Sequence, residues 1–318
     1  MTNLTAFNPA LGNQIIQYKL VYLKNHIASS CKVKYNLVKG DHIETHEDIH
    51  VIKIYITKGW NQVKALILYF SGTGNTKYVA NLICDEMKNL NFETEIHSIE
   101  DEFTIVSDSY DMLVLGSPKY YEYPPLYFME YLKRSLPMCK NSIPTMMFCT
   151  QVSPLTTDFK GIEKILRRKN HRLIVEKSFP IANNMVIFSS FPPTDLKKVE
   201  ANIKDMQSQI VPLLSEFSSG IVSKEFPNWF LAVAEQLVAR FCTGTFPVFA
   251  MKYSTSVQCT GCGLCAKKCP KGNIAMRDGR PVFGKKCMFC MRCINLCPAN
   301  AILYNDKKCS QYKLITKE

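Results

Sequence analysis

Between Lys64 and Phe217, short apolar runs alternate with longer stretches in which apolar residues recur at helical spacing. The short runs predict buried strands, and the longer stretches predict amphipathic helices. The strands are predicted at 64–70, 92–99, 111–117, 143–150 and 172–179. The helices are predicted at 75–90 and within 192–217, where Thr194 or Asp195 is the expected N-cap. An alternation of this kind predicts an α/β fold, in which helices cover both faces of a doubly wound parallel sheet.

The rest of the chain differs in character from this central region. Residues 1–62 show no clear apolar period, and residues 218–252 form a connector with one predicted helix, at 228–241. A length of 318 residues corresponds to roughly two domains. We therefore predict two domains, an α/β domain at 63–217 and a cysteine-rich domain at 253–318. An extension at 1–62 precedes them, and the connector at 218–252 joins them.

The cysteine-rich segment contains an internal repeat. Cys259 and Cys287 are 28 residues apart, and so are Cys269 and Cys297. Each half ends in a short apolar run, NIAM in the first and AILY in the second. The segment is therefore predicted to be a duplicated unit with pseudo-two-fold symmetry.

The cysteine content indicates metal binding. Eight of the 14 cysteines lie between Cys259 and Cys297, whereas disulfide scaffolds occur in small secreted domains. The N-terminus shows no secretory signal, and no run of 18 apolar residues is present. We therefore expect a cytoplasmic protein without a membrane span, and we expect the six other cysteines to be reduced and structural.

The eight clustered cysteines form two identical motifs. They are Cys259-x-x-Cys262-x-x-Cys265-x-x-x-Cys269-Pro270 and Cys287-x-x-Cys290-x-x-Cys293-x-x-x-Cys297-Pro298. This spacing resembles that of bacterial two-cluster ferredoxins, in which the fourth cysteine of each run ligates the other cluster. The resemblance implies one 4Fe–4S cluster on Cys259, Cys262, Cys265 and Cys297, and a second on Cys287, Cys290, Cys293 and Cys269. A zinc module is the alternative, because paired CxxC motifs also bind zinc.

A second motif, SGTGNT at 71–76, lies between a predicted strand and a predicted helix. Small hydroxyl residues and glycines in such a loop can surround a phosphate, because the helix N-terminus directs N–H groups and a positive dipole end at an anion. The loop matches neither a Walker loop nor GxGxxG. The alternative is an ordinary helix cap and loop without a ligand.

Two further loops follow predicted strands, GSPKYYEYPP at 116–125 and CTQVSP at 149–154. Ligands of doubly wound sheets bind at the carboxyl ends of the strands. Together the three loops resemble the phosphate loop and the two ring-contacting loops of flavodoxins, which implies FMN, with Tyr120 or Tyr121 over its isoalloxazine ring. The candidate cofactor-binding residues are Ser71, Gly72, Thr73, Gly74, Asn75, Thr76, Pro118, Lys119, Tyr120, Tyr121, Thr150, Gln151, Val152 and Ser153.

Taken together, residues 64–318 resemble the fusion proteins of anaerobic bacteria and archaea that join a flavodoxin-like domain to a small α+β two-cluster ferredoxin domain. The matching pieces are YFSGTGNTKYVA, the GSPKYYEYPP loop, the two cysteine runs and the GRPVF hairpin between them. The resemblance implies electron transfer that involves FMN and two 4Fe–4S clusters. An FMN-dependent reductase of a small substrate and an adaptor without flavin are the alternative functions.

Positive charge is concentrated in the cysteine-rich segment. The net charge of the chain is +12, and residues 251–318 hold thirteen basic and three acidic residues, a net +10. Two oxidised clusters with their thiolates would lower this value to about +6, which leaves a basic surface. We therefore expect an acidic ferredoxin or flavodoxin as redox partner. No groove-reading motif accompanies the basic residues, so we do not expect nucleic acid.

Two features of residues 1–62 remain. His46-Glu47-Asp48-Ile49-His50 matches the zincin signature HExxH, but residues 51–56 alternate like a strand and no third ligand follows, so we interpret it as a polar segment. The fusion-family resemblance begins only near Lys64. We therefore expect the functional protein to start at Val63, with a genuine N-terminal extension as the alternative. The intact mass of the native protein distinguishes the two.

Overall fold

The computed structural model of the chain describes residues 63–120, 124–152, 157–187, 192–225 and 248–312. The sequence predictions for 1–62, which include the HExxH match and the start at Val63, lie outside the described residues. The connector helix predicted at 228–241 lies outside them too.

The N-terminal part of the described chain is built on a five-stranded parallel sheet. Its strands are β1 (Lys64–Tyr69), β2 (Glu93–Ser98), β3 (Met112–Pro118), β4 (Ile143–Gln151) and β5 (His171–Pro180). They are ordered β2-β1-β3-β4-β5, and every pairing is parallel. This is the doubly wound order of flavodoxins. All five predicted strands are therefore confirmed.

Four helices cover the two faces of the sheet. They are α1 (Asn75–Asn89), α2 (Leu126–Ser135), α3 (Lys160–Arg167) and α4 (Leu196–Ser218). The two long helices, α1 and α4, were predicted from their periodicity. The sequence pattern did not single out α2 and α3, because helices of 10 and 8 residues contain only two or three turns of the helical period.

The alternation of side chains along the strands divides the core into two layers. On β1, Ala65 and Ile67 pack with α1 and α4, while Leu66 and Leu68 pack with α2 and α3. Successive side chains of a strand point to opposite faces, so each apolar run supplies both layers. This arrangement leaves the carboxyl ends of the strands as the edge at which loops can collect.

The cysteine-rich part contains short elements only. They are β6 (Tyr253–Thr255), α5 (Leu264–Lys267), β7 (Ile274–Arg277), β8 (Arg280–Phe283), α6 (Arg292–Leu296), β9 (Ile302–Tyr304) and β10 (Lys307–Lys308). One sheet has the order β10-β9-β6, and β7 pairs with β8 as a hairpin. Asp278 and Gly279 form its two-residue turn, and both have positive φ, 48° and 73°, as a type I′ turn requires.

The 28-residue repeat of the sequence is present in the structure. Helices α5 and α6 begin 28 residues apart, and so do strands β7 and β9. Both halves contribute to one small core that contains Tyr253, Phe289, Ile294, Ile302 and Tyr304. Among the described residues, no helix combines the length and the apolar character that crossing a membrane requires.

Asp195, one of the two predicted N-caps, caps α4. Its carboxylate accepts hydrogen bonds from the backbone N–H groups of Lys197 at 3.0 Å and Lys198 at 3.4 Å. Thr194, the alternative cap, has a different role, because its hydroxyl accepts a hydrogen bond from the backbone N–H of Asn183 at 2.8 Å.

We expect Asp195→Ala to lower the free energy of unfolding by about 1 kcal/mol, because the first turn of α4 loses its side-chain acceptor. Asp195→Asn is the matched control, since its amide oxygen can still accept these hydrogen bonds. Urea denaturation of both variants measures the difference. Equal losses of stability in the two variants would contradict the cap assignment.

Candidate cofactor sites

Three loops meet at the carboxyl edge of the sheet. They follow β1, β3 and β4, which are adjacent strands. The chain leaves β1 toward β2 on one side and returns to β3 on the other side, so the switch point of the topology lies between β1 and β3. Doubly wound proteins of this strand order bind their ligand at that point.

The loop after β1 has the features of an anion site. Gly74 is the N-cap of α1 with φ at 112°, and it has no side chain with which to cap the helix. Its own backbone N–H donates to the Ser71 hydroxyl at 3.1 Å. The N–H groups of the first turn of α1 therefore have no cap side chain as acceptor, and such a helix start suits a phosphate.

Hydrogen bonds hold the three loops together. The hydroxyls of Thr76 and Thr150 are 2.8 Å apart, which joins the first loop to the third. The backbone N–H of Lys119 donates to the Thr150 carbonyl at 2.9 Å, which joins the second to the third. The structure thus brings most of the predicted cofactor residues to one edge.

The remaining predicted residues of these loops differ in their surroundings. The Gln151 side chain accepts a hydrogen bond from the Thr157 hydroxyl at 2.9 Å. Val152 is 54% exposed, and Pro118 is buried at the end of β3. Tyr121 and Ser153 lie outside the described residues.

Tyr120 lies next to Gly72 of the loop after β1. A Cβ atom on Gly72 would lie 2.8 Å from the Tyr120 hydroxyl and 2.8 Å from the Cys290 carbonyl oxygen, so Gly72 admits a close approach from both. Burial raises the pKa of Tyr120 well above its ordinary value, and the nearby Cys290 contributes to the rise. The Tyr120 ring thus lies beside the cysteine-rich part, and its contact with a flavin ring stays a prediction.

The eight clustered cysteines line two separate cavities. We call Cys269, Cys287, Cys290 and Cys293 the inner set, because they line the first cavity. We call Cys259, Cys262, Cys265 and Cys297 the outer set, because they line the second cavity and include the exposed Cys262. Each set takes three cysteines from one run and the fourth from the other, as the ferredoxin resemblance implies.

The surroundings of the sulfur atoms fit iron-bound thiolates. Backbone N–H groups donate to sulfur, from Asn273 to Cys269 at 3.3 Å and from Ala301 to Cys297 at 3.3 Å. These two bonds are equivalent in the repeat. Burial raises the pKa of Cys290 to about 12. A thiolate at that position therefore needs a positive partner, which a bound iron would provide.

The two cysteine runs reach the same backbone shape with different residues. Gly261 and Gly263 in the first run have φ of 69° and 71°, and their counterparts Phe289 and Met291 have 56° and 58°. A left-handed conformation costs a non-glycine residue about 1–2 kcal/mol. Phe289 and Met291 are 4% and 2% exposed, and burying such a side chain contributes about 1.5–3 kcal/mol. Core burial therefore offsets the strain.

Several residues that sequence reasoning did not select touch the first loop. Asn184 donates a hydrogen bond to the Thr73 hydroxyl, and Tyr312 donates to the Asn75 side chain at 2.7 Å. Arg292 donates to carbonyl oxygens of this loop. Of these residues, only Arg292 could have been noticed from the sequence, because the apolar Leu264 occupies the equivalent position in the first half of the 28-residue repeat.

The inner set is the one that faces the α/β part. Met288 and Cys290 pack against the core layer of α2 and α3. Lys271 lies 5.4 Å from the centre of the Tyr127 ring, and the Arg292 guanidinium lies 5.6 Å from that of Phe70. The inner cavity therefore lies beside the loop after β1.

Comparisons with known proteins agree with this geometry. A family model described as a flavodoxin domain matches residues 66–173, and one described as a 4Fe-4S dicluster domain matches residues 250–302. A comparison with curated proteins finds no match.

Solved structures of flavodoxins are also similar to the chain. A flavodoxin from the domain Archaea is 17% identical, with a TM-score of 0.33, over 49% of this chain and 99% of that one. A short-chain flavodoxin associated with a non-canonical PDU bacterial microcompartment is 20% identical, with the same TM-score and coverages. Flavodoxin 2 from Bacillus cereus is 19% identical, with a TM-score of 0.30, over 47% of this chain and 99% of that one.

The chain therefore joins a flavodoxin domain to a 4Fe-4S dicluster domain, which is the organisation of a flavodoxin–ferredoxin fusion. These domains support a role in electron transfer. The flavodoxin domain implies FMN, and the dicluster domain implies iron–sulfur clusters.

Proposed function

We propose that this protein transfers single electrons between two 4Fe–4S clusters and one FMN. The observation that carries the proposal is the crosswise grouping of the cysteines into the inner and outer sets around two cavities. When bound, such clusters supply one-electron transfer, and FMN accepts one or two electrons. The chain supplies the ligands, the orientation and the burial.

The phosphate of FMN is proposed to bind in the loop after β1. The uncapped start of α1 supports this assignment, and so does the hydroxyl of Thr73 at the centre of the SGTGNT loop. The loops after β3 and β4 are proposed to hold the isoalloxazine ring. Thr150 joins the loop after β4 to the phosphate loop, and the loop after β3 is in turn bonded to the Thr150 carbonyl.

The burial of the two cysteine sets supports different roles for the two clusters. The inner set adjoins the phosphate loop, through the close approach of Cys290 to Gly72, and is proposed to exchange electrons with the flavin. The outer set includes the exposed Cys262 and is proposed to face an external carrier. The chain next to the outer set is exposed as well, because Val257, two residues before Cys259, is 89% exposed.

The external carrier is proposed to be an acidic ferredoxin or flavodoxin. The net +10 charge of residues 251–318 supports this choice, since complementary charge accelerates the encounter of electron-transfer partners. Lys267, Lys268, Arg277 and Arg280 are exposed on this part of the chain.

Iron analysis with cysteine variants tests the cluster assignment. We expect about eight iron atoms per chain after anaerobic purification, and about four after Cys297→Ser or Cys269→Ser. Low-temperature spectra of the two variants should differ, because Cys297→Ser damages the outer site and Cys269→Ser the inner site. Cys309→Ser is the matched control, since Cys309 is buried in the same core but lines neither cavity. Zinc in place of iron would contradict the assignment.

Thr73→Asp tests the phosphate loop. A carboxylate there would face the phosphate, so we expect the dissociation constant of FMN to rise at least about tenfold, because juxtaposed like charges cost several kcal/mol. Thr73→Ser keeps the hydroxyl that accepts from Asn184 and should bind FMN almost as the parent does. Fluorescence titration measures both, and unchanged affinity in Thr73→Asp would move the phosphate site elsewhere.

The partner proposal predicts a salt dependence. The rate at which an acidic ferredoxin reduces this protein should fall about tenfold between low salt and about 0.5 M salt, because screening weakens electrostatic steering. Stopped-flow absorbance measures the rate. Reduction by an uncharged photoreductant is the control and should change little. A ferredoxin rate that does not fall would exclude docking through basic charge.

A further inference from the structure

Arg292 lies where the two domains meet, and all of its N–H donors make hydrogen bonds there. Its Nη1 and Nη2 atoms donate to the two carboxylate oxygens of Glu100 at 2.7 and 2.6 Å. Nη2 also donates to the Ser71 carbonyl at 2.7 Å, and Nε donates to the Gly72 carbonyl at 3.1 Å. Nη1 makes the fifth bond, to the Lys268 carbonyl at 3.1 Å. A guanidinium has five N–H donors, and all five are engaged.

The environment of this group makes its bonds strong. The side chains of Arg292 and Glu100 are 13% and 24% exposed, so the pair is partly shielded from water. The pair is bidentate, which fixes the plane of the guanidinium as well as its position. Lysine, with one nitrogen, cannot reproduce this fork.

The two carbonyls that Arg292 binds belong to the phosphate loop. In a planar trans peptide the C=O and the N–H of one unit point in opposite directions. With the Ser71 and Gly72 carbonyls held toward Arg292, the N–H groups of Gly72 and Thr73 must point away from it. Among the described residues no acceptor binds these two N–H groups, so they are available to an anion.

The cysteine-rich domain also contacts the neighbouring residues of the loop. The Cys290 carbonyl approaches Gly72 so closely that a Cβ atom would not fit. The Tyr312 hydroxyl donates to the Asn75 side chain at the start of α1, and the Tyr312 backbone N–H donates to the Asn295 side chain at 2.6 Å. The phosphate loop therefore rests on the cysteine-rich domain at Ser71, Gly72 and Asn75.

We propose that Arg292 is a positioning residue of the FMN phosphate site, and that the cluster domain is thereby part of the flavin site. Arg292 touches the loop and not the ligand, and it orients two amide N–H groups for the phosphate. This inference rests on the proposed function, because it assumes that the loop binds FMN. If the proposal is right, replacing Arg292 weakens the binding of FMN, which carries a phosphate. The same replacement leaves the affinity for riboflavin, which has no phosphate, nearly unchanged.

The test compares the dissociation constants of FMN and riboflavin for the flavin-free full-length protein. Quenching of flavin fluorescence measures both constants, and the iron content of each sample is determined as well. In Arg292→Gln we expect FMN to bind about tenfold more weakly, the loss of roughly one charge-assisted interaction, and riboflavin to change less than about twofold. Lys224→Gln is the control, because it removes an ion pair to Glu163 of the same 2.6 Å length that does not touch the loop. It should change neither affinity.

Arg292 lies between two cysteines of the inner set, so a second variant tests the same contact from the flavodoxin domain. Glu100→Gln leaves the cysteine run intact and should lower the preference for FMN over riboflavin by about threefold, because the guanidinium loses its charged partner. An equal weakening of both ligands would overturn the proposal. The proposal would also be overturned if Arg292→Gln kept its full iron content and its preference for FMN over riboflavin did not change. If Arg292→Gln loses iron, an unchanged preference in Glu100→Gln would overturn it instead. Failure of the parent protein to bind FMN would instead refute the proposed function.

Discussion

The guanidinium group of Arg292 joins the two domains through hydrogen bonds. It comes from the second cysteine run, between Cys290 and Cys293, and it binds Glu100 and two carbonyls of the loop after β1. Burying a charged group costs free energy unless the group is paired and hydrogen-bonded, and all five N–H donors of Arg292 are engaged. This contact, together with the close approach of Cys290 to Gly72, keeps the inner cavity beside the loop that we propose for FMN.

The parallel sheet explains why the loops of the flavodoxin domain converge. Every strand of the sheet runs in the same direction, so all carboxyl ends lie on one edge, and β1, β3 and β4 are adjacent there. The hydroxyl contact between Thr76 and Thr150 then joins loops that are more than 70 residues apart in sequence. The core layers on both faces hold the strands rigidly, and this rigidity positions the loops.

The two halves of the duplicated cysteine domain have different surroundings. The two halves share their helix and strand positions and their left-handed residues, but they differ in the side chains at those positions. Gly261 and Gly263 occupy the first run, and the buried Phe289 and Met291 occupy the second. The second run thereby gains apolar contacts, and Arg292 in place of Leu264 gains a bond to the neighbouring domain. The spacing of the cysteines is therefore the same in both halves, while the side chains around them differ.

The strands, the two long helices and the two cysteine motifs could be predicted from the sequence alone, and the cap of α4 was narrowed to Thr194 or Asp195, because each depends on residues close together in the chain. Periodicity and ligand spacing are local properties and can be read without coordinates. The crosswise ligation by the cysteines followed from a resemblance to ferredoxins and stays a prediction, while the structure places three cysteines of one run and the fourth of the other around each of two cavities. The helices α2 and α3 were too short for their period to single them out.

The contacts between the domains could not be predicted from the sequence. Arg292 lies 192 residues from Glu100 and 221 residues from Ser71 in sequence, and Tyr312 lies 237 residues from Asn75. No pattern along the chain encodes such pairs, because they form when two independently patterned surfaces pack together. An arginine in a cysteine run is equally compatible with a solvated surface position. Packing against the flavodoxin domain makes it a half-buried hydrogen-bond donor to the backbone of the loop after β1.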